Sequence, residues 1–382
     1  MASDTTNIKL FIPTPSKIES LTAGLGKVKA RLVQDIVTGI GRSNSMRLSH
    51  IAESLHEPIA PHATHKRLSR NIGDPGLGQH LQERILNLGA EHVGKDTRII
   101  LDCFDITKQY ARKMEFIEAF ETCDRDSHAG FHACEVIASD HSRFWPLDMG
   151  VWSNNVPDYE SREAFILSLV QRVRSVTGEN GVLVVNAGLG DTNELLIPWI
   201  NDPSNRFIVR LCRGRELLFN GQHWSVSSIA ERCAKPYGKL LFKYKSRQEQ
   251  QLFTEYGYVP VRFPGCEQRP LWLVCISGTT LGAAFEYFLL TSDPEVEQRN
   301  GIDRIVRAYL TRWQVASTQN VVRKKYDFDD VRVHTFNRLE NLLRLYQCIA
   351  YSVGPTPGFP MIDDGITYDR QLPAELSSLT TA

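Results

Sequence analysis

Long hydrophobic runs, paired cysteines and an excess of charge of one sign are all missing from this sequence. No stretch of its 382 residues approaches the ~18 consecutive apolar residues needed to span a bilayer. The opening MASDTTNIKLFIPTPSK lacks the apolar core of a signal peptide. A cytoplasmic protein without a membrane partner is therefore expected. The eight cysteines (Cys103, Cys123, Cys134, Cys212, Cys233, Cys266, Cys275 and Cys348) include no Cys-x2-Cys pair. That disfavours a zinc ribbon or a disulfide framework and favours reduced thiols in a core.

What is present is ordinary in bulk and uneven in detail. Hydrophobic residues make up 42% and charged residues 23%, the balance of a soluble globular chain long enough for two or three domains. The formal net charge is zero, which at first argues against nucleic acid. Distribution changes that reading. Between Arg206 and Arg247 there are ten Lys or Arg against two acids, Glu216 and Glu231, a local basic excess suited to a phosphate backbone. The closing GPTPGFPMIDDGITYDRQLPAELSSLTTA carries the opposite sign and reads as a flexible tail over 354–382.

Three textures follow one another. Residues 1–96 read as helical, with GLGKVKARLVQDIVTGI and GLGQHLQERILNLGAEHV placing apolar residues at helical spacing. Between these lie two short apolar faces, Ile51 with Leu55 and Leu68 with Ile72, separated by a break at HEPIAP. The pattern is that of a helix-turn-helix-like unit whose second helix carries His65, Lys66, Arg67 and Arg70, types that reach phosphates and base edges. The plainer alternative is a helical bundle with a solvated basic face. From Thr97 onward strands alternate with helices, so 97–205 and 285–353 read as an α/β core. A basic, β-rich block over 206–284 interrupts it.

The chemistry candidates sit at strand ends. RIILDCFDI is an apolar strand that ends in Asp102 and Asp105, and VLVVNAGLGD is another that ends in Asn186 before a Gly-x-Gly turn. A carboxylate at such a strand end is where metal-dependent phosphoryl chemistry places its first ligand, with roughly three carboxylates needed to hold two hard cations beside a phosphate. Acids after strands are also common as turn formers and caps.

Taken together, these segments resemble the DDE transposases of bacterial insertion sequences, in the branch whose ribonuclease H-like core carries a β insertion before the last acid. The resemblance covers nearly all of 20–352. IILDCFDITK is similar to the first-Asp strand. LVVNAGLGDTNELLIPWI, with RFIVRLCRGREL after it, is similar to the second-Asp segment. FLLTSDPE followed by IVRAYLTRWQV resembles the approach to the third acid, and YLTRW supplies Tyr309 and Arg312 of the signature Tyr-x2-Arg-x3-Glu-x6-Lys. The resemblance implies double-stranded DNA as partner, a homodimer that pairs two DNA ends, and Mg²⁺ or Mn²⁺ as cofactor for an active member.

The departures fall on the metal site. Asp102 stands where the first acid is expected, but the second position is Asn186 with Ala187 beside it. The Glu position is Ala316, and the Lys position is Arg323. An amide oxygen brings no charge and alanine brings no ligand. Asp191 is the acid best placed to stand in as a metal ligand, although its position suggests a helix N-cap. The expectation is a DNA-binding protein derived from a transposase, without a working cofactor. Its DNA contacts would come from Lys66, Arg67, Arg70, Arg210, Arg213, Arg215, Lys243, Lys245, Tyr309, Arg312 and Arg323, with Trp224 free to stack on a base. The alternative is a metal-dependent transposase that cuts and joins element ends, or the parent of a laboratory-inactivated one. A third reading keeps only the fold, as a protein-interaction scaffold.

Overall fold

The computed structural model describes residues 14–108, 113–121, 127–140, 143–245, 248–280, 283–353 and 366–369. Its centre is a run of five strands. β1 (Arg98–Thr107) lies between β3 (Ser127–Ser139), antiparallel to it, and β5 (Val182–Val185), parallel to it. β4 (Phe144–Trp152) flanks β3 antiparallel, β6 (Phe207–Leu211) flanks β5 parallel, and the short β2 (Glu118–Glu121) extends the hairpin side. Both faces of β1 are buried from Arg98 to Leu101, after which burial alternates. The first half of RIILDCFDI is thus continuous apolar core, as strands covered on both faces require. Its second half emerges with Asp102 on one face and Asp105 on the other.

Helices cover both faces. α6 (Arg162–Thr177) and α8 (Asn193–Asn201) bury Ile166, Leu169, Leu195 and Trp199 against Ile99, Leu101, Leu183 and Val185. The long α10 (Arg299–Lys325) sets Ile302, Ile305, Val306 and Tyr309 against Ile100, Val184 and Ile208 on the opposite face. The short α7 (Ala187–Gly190) follows β5 directly.

The β-rich block continues the same sheet. After the β7 (Glu216–Phe219) and β8 (Gln222–Ser225) hairpin and α9 (Val226–Ala230) come β9 (Tyr237–Lys245), β10 (Gln248–Phe263), β11 (Cys266–Thr280) and β12 (Ala283–Thr291). β12 pairs with β6 through Phe288 opposite Leu211, so the block and the core share one hydrogen-bonded ladder. The boundary expected at 206 therefore falls just before a core strand. Part of the expected tail is also strand: β13 (Ile366–Asp369) pairs antiparallel with β9, while 354–365 and 370–382 lie outside the described residues.

The N-terminal helices α1 (Pro15–Thr22), α2 (Lys27–Ser43), α3 (Leu48–Ser54), α4 (Pro61–Asn71) and α5 (Pro75–Ala90) do not stand apart. Leu32, Ile36, Ile51, Leu68 and Leu81 share a core with Leu342 and Tyr346 of α11 (Phe336–Val353) and with Ile106, Phe131 and Met149 of the sheet. α2 and α3 touch closely at Gly39, where a Cβ would lie 2.5 Å from Ile51 Cγ2. Asp148 of β4 locks the helical layer to the sheet. Fully buried, it accepts from Gln82 of α5 at 2.7 Å, Arg172 of α6 at 2.7 Å and Arg344 of α11 at 2.9 Å, the dense pairing a buried charge needs. No helix among the described residues is long and apolar enough to cross a membrane.

Candidate functional site

The carboxyl end of β1 brings the expected positions together. The parallel register sets Ile100 opposite Val184; two residues further on, Asp102 and Asn186 leave adjacent strands side by side on the α10 face. Asn186 is in use as a helix cap. Its Oδ1 accepts from the Leu189 amide at 3.0 Å and closes the first turn of α7. Asparagine and aspartate cap helices about equally well, and the amide does so without a charge. On α10, Arg312, Ala316, Gln319 and Arg323 recur at spacings of three and four and so share one face. Ala316 offers that face a methyl group.

Arg323 fills the space where a ligand set would converge. Its guanidinium donates to Asp102 Oδ2 at 2.9 Å, lies 3.9 Å above the centre of the Phe104 ring, and comes within 3.8 Å of Glu135 Oε2. Glu135 is a residue of this pocket that sequence reasoning missed. It lies directly across from Asp102 in the β1–β3 register, is fully buried, and has no hydrogen-bond partner for either oxygen among the described residues. Burial pushes its carboxyl up to about 8, against the pull of Arg323, so at neutral pH it is largely the uncharged acid. The signal was available in HACEVIAS, where a lone acid interrupts an apolar strand. Behind Arg323, the Tyr346 hydroxyl donates to Gln319 Oε1 at 3.3 Å, and burial raises the Tyr346 phenol well above its usual range. One ionised carboxylate, one guanidinium and one neutral acid leave the pocket balanced in charge.

Of the other acids near the strand ends, all but Glu194 are already engaged. Asp191 ends α7 instead of starting the next helix, whose cap is Thr192. Its carboxylate accepts from Arg215 Nε and from the Cys212 amide, both at 2.6 Å, which leaves little of it for a cation. Asp105 points to the opposite face and accepts from His132 at 2.7 Å. Glu286 pairs with Arg213 at 2.8 Å and Asp303 with the Tyr256 hydroxyl at 2.9 Å, while Glu194 lies exposed in the first turn of α8. Among the described residues, no group of three or more His, Cys, Asp or Glu side chains is placed to hold a metal ion.

The basic residues divide into outward and inward sets. Lys66 and Arg70 are exposed on α4, where a helix-turn-helix reading wants them. Arg67, on the same helix, instead bridges Asp35 at 2.7 Å and Glu57 at 2.9 Å. Arg213 is exposed despite its Glu286 pair. Arg215 is tied to Asp191 and Asn193, and Arg210 packs its guanidinium 4.6 Å from the Tyr287 ring centre. Tyr309 is wholly buried and Arg312 nearly so, 5.2 Å from the Tyr309 ring centre. Trp224 is covered by the Arg232 guanidinium at 4.3 Å. The side chains of Lys243, Lys245 and Trp313 lie outside the described residues.

No family model matches this sequence, and neither does any curated protein. Among solved structures the chain is similar to the piggyBac transposase in its synaptic complex with hairpin DNA, at 11% identity over 94% of this chain and 76% of that one, with a TM-score of 0.44. It is also similar to the NurA nuclease from Sulfolobus solfataricus, at 10% identity over 65% of this chain and 90% of that one, with a TM-score of 0.29. Likenesses this loose assign no residue a role.

Proposed function

We propose that this chain is a DNA-binding protein built on a ribonuclease H-like, transposase-type core, and that it holds double-stranded DNA without cutting it. The antiparallel β4–β3–β1 run continued by parallel β5 and β6, with helices on both faces, supports the core assignment. Exposed Lys66 and Arg70 on α4, with Arg213 beside the β insertion, supply the cations for a phosphate backbone.

The observation that carries the non-cutting reading is the Arg323–Asp102 pair. Hard divalent cations in phosphoryl transfer need several oxygen ligands with net negative charge. Here the ionised acid at the strand end is neutralised by a guanidinium, the neighbouring Asn186 oxygen is committed to a cap, and Ala316 contributes no donor. These residues do not fit a two-metal site. The retained scaffold fits a regulatory or architectural role on DNA.

The test is a gel shift with duplex DNA from the flanks of the gene, with and without Mg²⁺ or Mn²⁺. A shift that weakens with salt while the DNA stays intact is expected. Metal-dependent nicking would overturn the reading in favour of a working transposase, and the absence of any salt-sensitive shift would favour a protein-interaction scaffold.

A further inference from the structure

On the face of the β1–β3 ladder turned away from α10, two cysteines stand directly opposite each other. Cys103 meets Cys134 in the antiparallel register, next on that face to the Asp105–His132 pair. The hydrogen-bonding phase of the ladder is fixed at its end, where the Lys108 amide donates to the Ala129 carbonyl at 2.6 Å. Opposed residues that share such bonds alternate with opposed residues that do not. Counting back from Lys108, both Asp105–His132 and Cys103–Cys134 fall on the second kind, whose α-carbons approach to about 4.5 Å and whose side chains lie closest. That separation is at the lower edge of the range a disulfide bridges, about 4.4–6.8 Å. Asp105 and His132 show the phase at work, because their side chains meet at 2.7 Å. The Cys103 and Cys134 thiols are likewise within hydrogen-bonding reach of each other.

Burial makes the pair asymmetric. Ile99 and Leu101 precede Cys103 on this face and pack beneath α6 and α8. Cys103 is the first residue past that cover and is exposed, whereas Cys134 is fully buried in the same cluster. Thiol–disulfide exchange that ends in a ring needs both an accessible sulfur and a second one in place to attack it. Cys212, the other exposed thiol among the described residues, lies just past Leu211, the last paired residue of β6. Cys233 and Cys275 are both buried, so a reagent in solvent meets neither of them first. Among the described cysteines, Cys103 combines access with a cysteine directly across the ladder.

We propose that Cys103 and Cys134 form a dithiol site for low-molecular-weight disulfides, which close it to a cross-strand disulfide between β1 and β3. The Cys103 thiolate attacks one sulfur of the disulfide RS–SR; that S–S bond breaks, and one RS⁻ leaves and takes up a proton. Cys134 then gives up its proton, its sulfur attacks the Cys103 sulfur of the mixed disulfide, and the second thiol leaves as RSH. The two protein thiols lose two electrons, and one small disulfide is reduced to two thiols. In the ladder the new bond is adjacent to Asp102 and Glu135, so it staples the two strands beside the Arg323 pocket.

The experiment equilibrates the reduced full-length protein with mixtures of oxidised and reduced glutathione, quenches with acid and maps peptides without reduction. With about 0.1 mM free thiol, the Cys103–Cys134 disulfide should outweigh glutathione bound at Cys103 by about tenfold, because the second thiol is held in place at an effective concentration on the order of 1 mM or more. Doubling total glutathione at a fixed oxidised-to-reduced ratio should lower the disulfide-to-dithiol ratio about twofold, the signature of a closure that releases two thiols; a mixed disulfide would not respond. Cys134→Ser should convert the product to the mixed disulfide at Cys103. Glutathione retained at Cys103 in the wild-type map, a disulfide from Cys103 to any other cysteine, or an unmodified Cys103 across the whole series would each overturn the proposal, and the wild-type map depends on no variant folding.

Discussion

Two acid-centred pairs sit on opposite faces of the same β1–β3 ladder. Asp102 meets Arg323 with side chains 12% and 9% exposed; three residues on, Asp105 meets His132 with side chains 51% and 30% exposed. The strand and the acid are shared, while burial and the cationic partner both differ. Removing one member of a buried pair strands a charge where water cannot reach it, whereas an exposed pair is screened and contributes little. The face that resembles a catalytic site is closed by its own arginine, and the face that carries no such resemblance stays open to protons.

The sharpest way to break this comparison is Arg323→Met. It leaves Asp102 facing Glu135 without a cation and should cost about 3–5 kcal/mol in denaturant unfolding. Adding Asp102→Asn should return part of that loss; strictly additive effects would mean that the two side chains are not coupled.

Glu135 provides an effect of comparable size, through pH. Its folded value of about 8 lies above its ordinary 4.5. Its contribution is therefore fully present below pH 4.5 and is lost as pH rises toward 8. The slope approaches about 1.4 kcal/mol per pH unit for one proton. Denaturation curves between those limits should show the decline, and Glu135→Gln should flatten it.

On the outer surface the prediction concerns DNA. Lys66→Glu and Arg70→Glu should each weaken duplex binding by about tenfold, roughly 1.4 kcal/mol, with unchanged melting temperature. Arg67→Ala should lower the melting temperature instead, because its guanidinium joins Asp35 to Glu57. Loss of DNA binding from Arg67→Ala at full stability would reverse the assignment of these three cations.

The smallest effect belongs to the open pair. The hydrogen bond that His132 donates to Asp105 raises His132 above 6.5, so this pair stabilises below that value and fades as pH climbs through the raised one. NMR titration should show the His132 midpoint fall in Asp105→Asn, with a stability change well under about 1 kcal/mol.

Much of the site could be read from local pattern. An apolar run ending in Asp102, and its odd spacing from Asp105, place the two acids on opposite faces of one strand, as found. The two short helices α3 and α4 were legible from the apolar positions Ile51 and Leu68. Partnership was harder. Glu135 acquires meaning only through antiparallel register with Asp102, and Arg323 only once α10 crosses the sheet. Asp191 resembled a cap because it precedes a helix, yet a distant arginine and amide claim its oxygens. The β block looked like a separate unit because its strands are consecutive. Its pairing to β6 joins residues far apart in the chain, and spacing along the chain carries no trace of that.

That same β12–β6 ladder also orders events in time. Leu211 finds its partner Phe288 only after the whole β block has been made. The apolar face formed by Ile100, Val184 and Ile208 waits longer still, for Ile302, Ile305 and Tyr309. A nascent chain leaving the ribosome therefore carries an unroofed strand face until α10 has been made, a condition that draws chaperones and invites aggregation. Chains ending before Arg299 should accumulate as insoluble protein, while the full chain buries that face beneath α10.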